Sequence, residues 1–360
     1  MREHAPVSWV PALGGWLVLR RDLAIEVMVD ARTFTVDDPR FSTGRVVGPS
    51  MLTLDGAEHA RHRTPFAGPF RQQPVRERFT EVVAGEVTRL LDAIGRKAEL
   101  RRSFAGPLAA TVVTHALGLR ETDTAAVLGW YDAIVAAVTE VTAGAEVPAA
   151  GSAAFDELRA AIEPVLEREA GSSVLADARA AGGLGRPEVV SNAAVMLFGG
   201  IETTEGMIAN AILHLLAAPD QLALVRADPA RLPNAIDESL RLEPAAAMVD
   251  RYATTDVTLG DAKIAAGQLV RVSVTAANRD PAAFPDPDRF DVLRDNARQH
   301  LAFARGPHVC IGVHLARLEA HAAVGALLER FPGLRLDPDR PSAPSGLVFR
   351  KPVELNVLTA

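Results

Sequence analysis

Phe303-Ala304-Arg305-Gly306-Pro307-His308-Val309-Cys310-Ile311-Gly312 is the stretch on which the reading of this chain turns. It contains the only cysteine among 360 residues. The residues before Cys310 form a Gly- and Pro-containing turn with neither helical nor strand period. Beyond it, Ile311, Leu315, Leu318, Ala322 and Leu327-Leu328 recur near helical spacing, which predicts a helix starting within about one residue of the sulfur. A thiol at a helix N-terminus faces unpaired backbone N–H groups and the positive end of the helix dipole, and both favour the thiolate. Gly306 and Gly312 let the backbone pass close to a bulky, flat object.

A single thiolate cannot close a zinc site or hold an iron–sulfur cluster, but it can be the one axial ligand of a haem iron. The plain alternative is a buried cysteine acting as a small hydrophobe. The pattern around it decides between them. Phe303-x-x-Gly306-x-His308-x-Cys310-x-Gly312 leading into a helix resembles the cysteine-ligand loop of the cytochrome P-450 family, with one departure: Ala304 stands where the family commonly has Gly.

Composition narrows the rest. A hydrophobic content of 48% is ample for a large core, and 23% charged residues argues against long disorder. A formal net charge of -7 gives no basic signal for nucleic acid. One cysteine excludes an internal disulfide and suits a reducing cytosol. Residues 1–20 carry Glu3, His4, Pro6 and Pro11 without a sustained apolar run, so neither a signal peptide nor a membrane anchor is expected there. The chain reads as soluble and cytoplasmic.

In chain order, Trp16-Leu17-Val18-Leu19 is a strand candidate, followed by a helix over residues 22–30. By the resemblance this opening belongs to the family's first sheet and begins late, with the usual proline-rich segment and first helix missing or cut down. Residues 34–54 show no period; the equivalent family loop covers the substrate pocket, and here it is short. A more open pocket entrance is therefore expected. The next helix places His59 and Arg63 four apart on one face, two donors suited to an anion or simply a solvated basic face. The resemblance makes them haem-propionate ligands. Residues 74–170 read as helical, with a break at 95–103, and residues 172–181 as a short helix stopped by Gly182-Gly183.

Arg186-Pro187 opens the longest apolar segment, to about residue 218, expected as a helix buried through the middle of a large domain. Its Asn192, Glu202, Glu205, Asn210 and His214 argue against a membrane span. Gly199-Gly200-Ile201-Glu202-Thr203-Thr204 lies at its centre. Two glycines inside a helix cost about 1 kcal/mol each, so they need a reason; they allow a bend and let a ligand lie against the backbone. The bland reading is a kinked core helix with a solvated Glu. The segment resembles the family's oxygen-binding helix, which implies that Glu202 and Thr203 deliver protons.

Glu238-Ser239-Leu240-Arg241 is by spacing an ordinary i,i+3 ion pair. It resembles the family's Glu-x-x-Arg, and Arg289 matches the third, basic member of a structural triad. Arg251, His300 and His308 match further propionate contacts. Alternating residues between Val257 and Val274, punctuated by Gly260-Asp261 and Ala266-Gly267, predict antiparallel strands. Val195, Met196, Gly199, Ala247, Met248, Val249 and Val348 fall at pocket positions by the same alignment, and their small or apolar side chains imply a hydrophobic substrate.

The resemblance spans residues 16–358 and implies a mainly α fold, a large helical region with a small antiparallel β region, in one domain over residues 1–360. The cofactor implied is haem b with Cys310 as axial thiolate, cradled also by Phe303, Gly312, Gly199 and Gly200. The activity implied is insertion of one oxygen atom from O2 into a hydrophobic small molecule. A ferredoxin and its reductase would supply electrons, docking near Arg61, Arg71 and Arg305. Two alternatives stay open: a peroxide-using or non-oxygenating haem-thiolate enzyme, and a non-catalytic haem-binding sensor.

Overall fold

A computed structural model describes residues 4–359. The chain divides into two compact units. The first comprises the residues up to Phe34, Val83–Leu108, and everything from Glu202 onward; the second comprises Thr35–Val82 and Ala109–Ile201.

The first unit is built on a twisted sheet. Val7–Val10 and Gly15–Val18 form an antiparallel hairpin; Gly15–Val18 runs parallel to Leu269–Ser273, which pairs antiparallel with Met248–Ala253. At the far edge Thr254 donates its N–H to the Thr33 carbonyl at 2.9 Å. Strand alternation puts Val18, Val270 and Val272 on one face. The helix Arg21–Val29 covers that face with Leu23, Ala24, Val27 and Met28, a stripe at helical spacing. The hairpin Val257–Leu259/Ala262–Ile264 adds Leu259 and Ile264 to the same core. Three short strands, Lys97–Glu99, Asn356–Leu358 and Arg335–Leu336, form a separate antiparallel sheet. The β content is thus small and mainly antiparallel, as the sequence implied.

The second unit is helical. Thr124–Thr142 and Ala149–Leu166 pack so closely that a Cβ at Gly151 would overlap the Ala137 methyl. Thr124–Thr142 is long and apolar enough to cross a membrane by composition. It nevertheless buries Trp130, Tyr131, Ile134 and Val138, and Trp130 donates to Glu157 at 2.7 Å. The helix Val174–Ala181 starts where the Ser173 hydroxyl accepts the Ala176 N–H and stops at Gly182, whose φ of 72° is left-handed.

Two elements depart from expectation. The stretch 34–54 contains the helix Ser42–Val47, short and weakened by Gly44 and two valines but held by burial of Thr43, Val46 and Val47. The C-terminal helix, Val313–Arg330, begins three residues beyond Cys310, with Gly312 as its N-cap. The long apolar segment is an unbroken α-helix, Arg186–Ala217, running through both glycines.

Candidate active site

The cysteine loop is fixed from three sides within the first unit. Cys310 donates its N–H to the Phe303 carbonyl at 2.9 Å, closing the loop on itself. The Leu301 N–H donates to Asn278 Oδ1 at 2.7 Å, and Arg21 reaches the Gln299 carbonyl at 2.7 Å. Gly306, at φ 71°, lies against the end of the helix Arg21–Val29; a Cβ there would meet the Met28 carbonyl oxygen at 2.6 Å. That position can only be glycine.

Ala304 takes φ 57°. The turn is kept although the residue is not Gly, at the cost of about 1–2 kcal/mol of left-handed strain. Ala304→Gly is expected to relieve it, less the larger backbone entropy of Gly in the unfolded chain. The net expectation is a stabilisation of about 0.5–1 kcal/mol, read as a raised midpoint of thermal unfolding.

Asp237 anchors the loop's other end. Arg317 donates to Asp237 Oδ1 at 2.7 Å, His300 Nε2 lies 3.3 Å from the same oxygen, and the Arg317 guanidinium sits 5.2 Å above the Phe303 ring. His300 Nδ1 accepts the Ala302 N–H, so Nε2 carries the proton and donates it to Asp237. Burial opposes charge on Asp237, but the His300 hydrogen bond and the Arg317 cation outweigh it and hold the carboxyl below its usual range. Burial pushes the His300 imidazole below its usual range, against the pull of Asp237. Both ring nitrogens have protein partners, so His300, expected at a propionate, also ties Asp237 to the backbone beside Phe303. It is a strut under Phe303.

The basic triad also needs correction. Arg241 and Glu238, both fully buried, share two hydrogen bonds of 2.7 and 2.9 Å. The third member is Arg294, whose Nε lies 3.0 Å from Glu238 Oε1. Arg289 is exposed and contributes only its carbonyl, which accepts from Arg241 and Arg294. The two buried guanidiniums grip the carbonyls of Pro285, Asp286, Pro287 and Arg289, fixing the irregular segment that precedes the cysteine loop.

The helix Arg186–Ala217 presents one accessible patch. From Val189 to Leu213 every residue is buried except Gly199, Gly200 and Thr203. The spacing i, i+1, i+4 puts the three on one face. A Cβ at Gly199 would meet nothing within 4 Å, so the space beside it is open. Glu202 is buried and ion-paired at 2.8 Å to Lys351, not solvated. Sequence reasoning missed Lys351.

Other expected residues are placed as follows. His59 is buried and Arg63 half-buried on their shared helix. His62, unremarked in the sequence, is also buried, its Nδ1 2.9 Å from Asn192 Nδ2; Asn192 Oδ1 in turn accepts the Met51 N–H at 2.8 Å and ties down the end of the 34–54 loop. Arg251 is buried and donates to the Asp250 carbonyl at 2.8 Å, while His308 is half-buried. Across the strand pair Asp250 faces Arg271 at 3.4 Å; burial pushes its carboxyl above the usual range against the pull of Arg271 and Arg251. Ala247 and Val348 are joined by a 2.8 Å backbone hydrogen bond, whereas Val249 packs into the sheet core and leaves the pocket list. Val195 and Met196 are buried in the second unit. Arg61, expected in the docking patch, is paired with Glu58, Glu188 and the Gly183 carbonyl.

These features fit a flat iron porphyrin. A lone, half-buried cysteine sits in a loop held by backbone hydrogen bonds, and Gly312 leaves its flank clear, with a Cβ there still 3.9 Å from Sγ. Among the described residues no group of three or more His, Cys, Asp or Glu could hold a metal ion by itself.

Comparison with known proteins agrees. The family model described as Cytochrome P450 matches residues 160–356. Cytochrome P450 monooxygenase PikC of Streptomyces venezuelae is 38% identical over 94% of this chain and 83% of its own. The 6-deoxyerythronolide B hydroxylase of Saccharopolyspora erythraea is 34% identical over 94% of this chain and 89% of its own. The crystal structure of CalO2 superposes with a TM-score of 0.90 at 32% identity, covering 99% of this chain and 94% of that one.

Proposed function

This chain belongs to the cytochrome P450 family and is a monooxygenase; from that premise we propose that it oxidises a hydrophobic small molecule with electrons from a ferredoxin and its reductase, in the cytoplasm. The observation that carries the reading is the backbone-fixed loop around the only cysteine, closed by the Cys310 N–H on the Phe303 carbonyl and by Gly306 against Met28. We take the two compact units as one domain, which is supported by structural neighbours that cover 99–100% of the chain.

The family's cofactor is haem b, ligated by a cysteine thiolate, and Cys310 is the only cysteine available. When bound, the haem supplies the oxygen-activating chemistry, and the thiolate ligand favours O–O cleavage by donating electron density. His59, Arg63, Arg251 and His308 are the residues we assign to its propionates, with Phe303, Gly312, Gly199 and Gly200 against the ring. The protein's own tasks are positional. Gly199 leaves the helix surface bare, and Ala247, Met248 and Val348 supply an apolar surface that orients substrate and excludes water. Thr203 Oγ1 holds a proton on that helix and Glu202 replenishes it.

The test is the division of electrons between product and peroxide. Thr203→Ala is expected to keep consuming electrons while releasing most of them as hydrogen peroxide. Glu202→Gln is expected to slow product formation by about 10²-fold, the lower range for a lost acid–base group. Unchanged product yield in both variants would remove the assignment, and turnover with peroxide alone, indifferent to Thr203→Ala, would favour the peroxide-using alternative.

A further inference from the structure

Glu202 does not stand alone. Five charged side chains of the first unit meet beside the helix Arg186–Ala217. Glu202 and Glu205, at i and i+3, are neighbours on the helix surface; Glu202 is likewise three residues from Gly199, whereas Glu205, two residues beyond Thr203, lies on the opposite side from it. Glu205 is completely buried, and Lys351, from the C-terminal hairpin strand Lys351–Pro352, is about nine-tenths buried. The Lys351 ammonium lies 2.8 Å from Glu202 Oε1 and is hydrogen-bonded to Glu205 Oε2 as well. Arg101 Nε is 3.3 Å from Glu205 Oε2, and Arg102, at the edge of the cluster, is 4.0 Å from Oε1. Gly106 makes room: a Cβ there would come within 2.9 Å of Glu205 Oε1. That oxygen, though buried, accepts no hydrogen bond.

Two carboxylates on one face of a buried helix repel each other and demand a cation. Lysine suits the task because its ammonium is a point charge with three rotatable donors, able to hold two carboxylates at once. Glu205 has no access to the open face at Thr203. Its evident use is to keep the ammonium in place, with Arg101 behind it.

We propose that Lys351 is a positioning residue for proton handling at Glu202, with Glu205 as its anchor. The inference rests on the reading of Glu202 and Thr203 as the proton-handling pair. Glu202 rests as the carboxylate paired with Lys351, takes up a proton from water, gives it to Thr203, and as carboxylate again finds its countercharge already beside it. Throughout, Lys351 stays bound to Glu205, so Glu202 can turn toward Thr203 and back without stranding a buried charge.

The experiment compares Lys351→Met, Lys351→Arg and Glu205→Gln in the haem-loaded protein by two readouts. The first is infrared difference spectroscopy of resting, glutamate-labelled protein across a pH series, with the Glu202 carboxyl band identified by its loss in Glu202→Gln. The second is the pH profile of the peroxide share during turnover. Lys351→Met removes the cation and is expected to move the Glu202 transition up by about one pH unit or more; Glu205→Gln removes the competing anion and is expected to move it down. The peroxide profile should follow in the same opposite directions, and Lys351→Arg should lie near the parent.

A merely structural lysine would lower stability in Lys351→Met but leave both profiles where they are, and that result would overturn the proposal. So would shifts of the same sign in the two variants. Should Lys351→Met fail to fold, Glu205→Gln decides alone, because it keeps the Lys351–Glu202 pair: no downward shift overturns the proposal. If Thr203→Ala leaves the peroxide share unchanged, the underlying proton-pair reading falls and takes this one with it; if only the Lys351 and Glu205 variants are silent, that reading survives.

Discussion

Cys310→Ser is expected to abolish the strongly red-shifted Soret band of the reduced carbon-monoxide complex and to bring monooxygenase turnover down to background. The reason is electronic. A thiolate donates charge to the iron and a serine hydroxyl, protonated at neutral pH, does not. The same substitution should hardly change folding. The loop's turn is made by backbone groups, with Cys310 N–H on the Phe303 carbonyl and Leu301 N–H on Asn278, and none of these uses the sulfur. Thermal unfolding of the haem-free forms should therefore agree within about 0.5 kcal/mol, the ordinary range for a change away from strained or core features. Retention of the red-shifted band in Cys310→Ser would mean that the ligand had been misassigned.

How much of this was open to inspection in the sequence depends on how local each feature's cause is. The cysteine loop was legible because it is punctuated by residues with backbone meaning, Gly306 and Gly312, around a unique thiol. The helix Arg186–Ala217 was legible because a long apolar run is its own signal. The helix Ser42–Val47 was not, since its residues are poor helix formers held by tertiary burial. Still, Thr43, Val46 and Val47 fall at i, i+3, i+4, a faint pattern that could have suggested it. Partner choice was hardest to foresee. His300 stands near the cysteine as a propionate ligand would, yet Asp237, from a distant helix, claims its Nε2. Lys351 lies in the C-terminal strands, with nothing local to mark it as the partner of Glu202. Val249 was placed in the pocket, but strand alternation sends it to the face opposite Met248. Sequence position fixes which residues are available, and the fold decides which of two neighbours turns inward.

Arg294 and Arg289 put that last point to the sharpest test. Five residues apart, both are basic and both precede the cysteine loop, and only one reaches Glu238. Arg294→Met is expected to destabilise the protein by about 3–5 kcal/mol, the usual cost of removing one partner from a buried charge network. It would remove the 3.0 Å contact to Glu238 and the donors that hold the carbonyls of Pro285, Asp286 and Arg289. Arg289→Met should cost no more than about 0.5 kcal/mol, because the side chain is exposed and its useful group, the carbonyl, survives the substitution. Denaturant unfolding of the two variants measures the difference directly. Equal costs would restore Arg289 to the triad. A large cost confined to Arg294 would carry a further consequence: the segment gripped by Arg241 and Arg294 leads straight into His300 and the cysteine loop, so haem retention should fall in Arg294→Met and hold in Arg289→Met. The ion network then acts on the active site by fixing the chain that carries the ligand, without any of its charges reaching the iron.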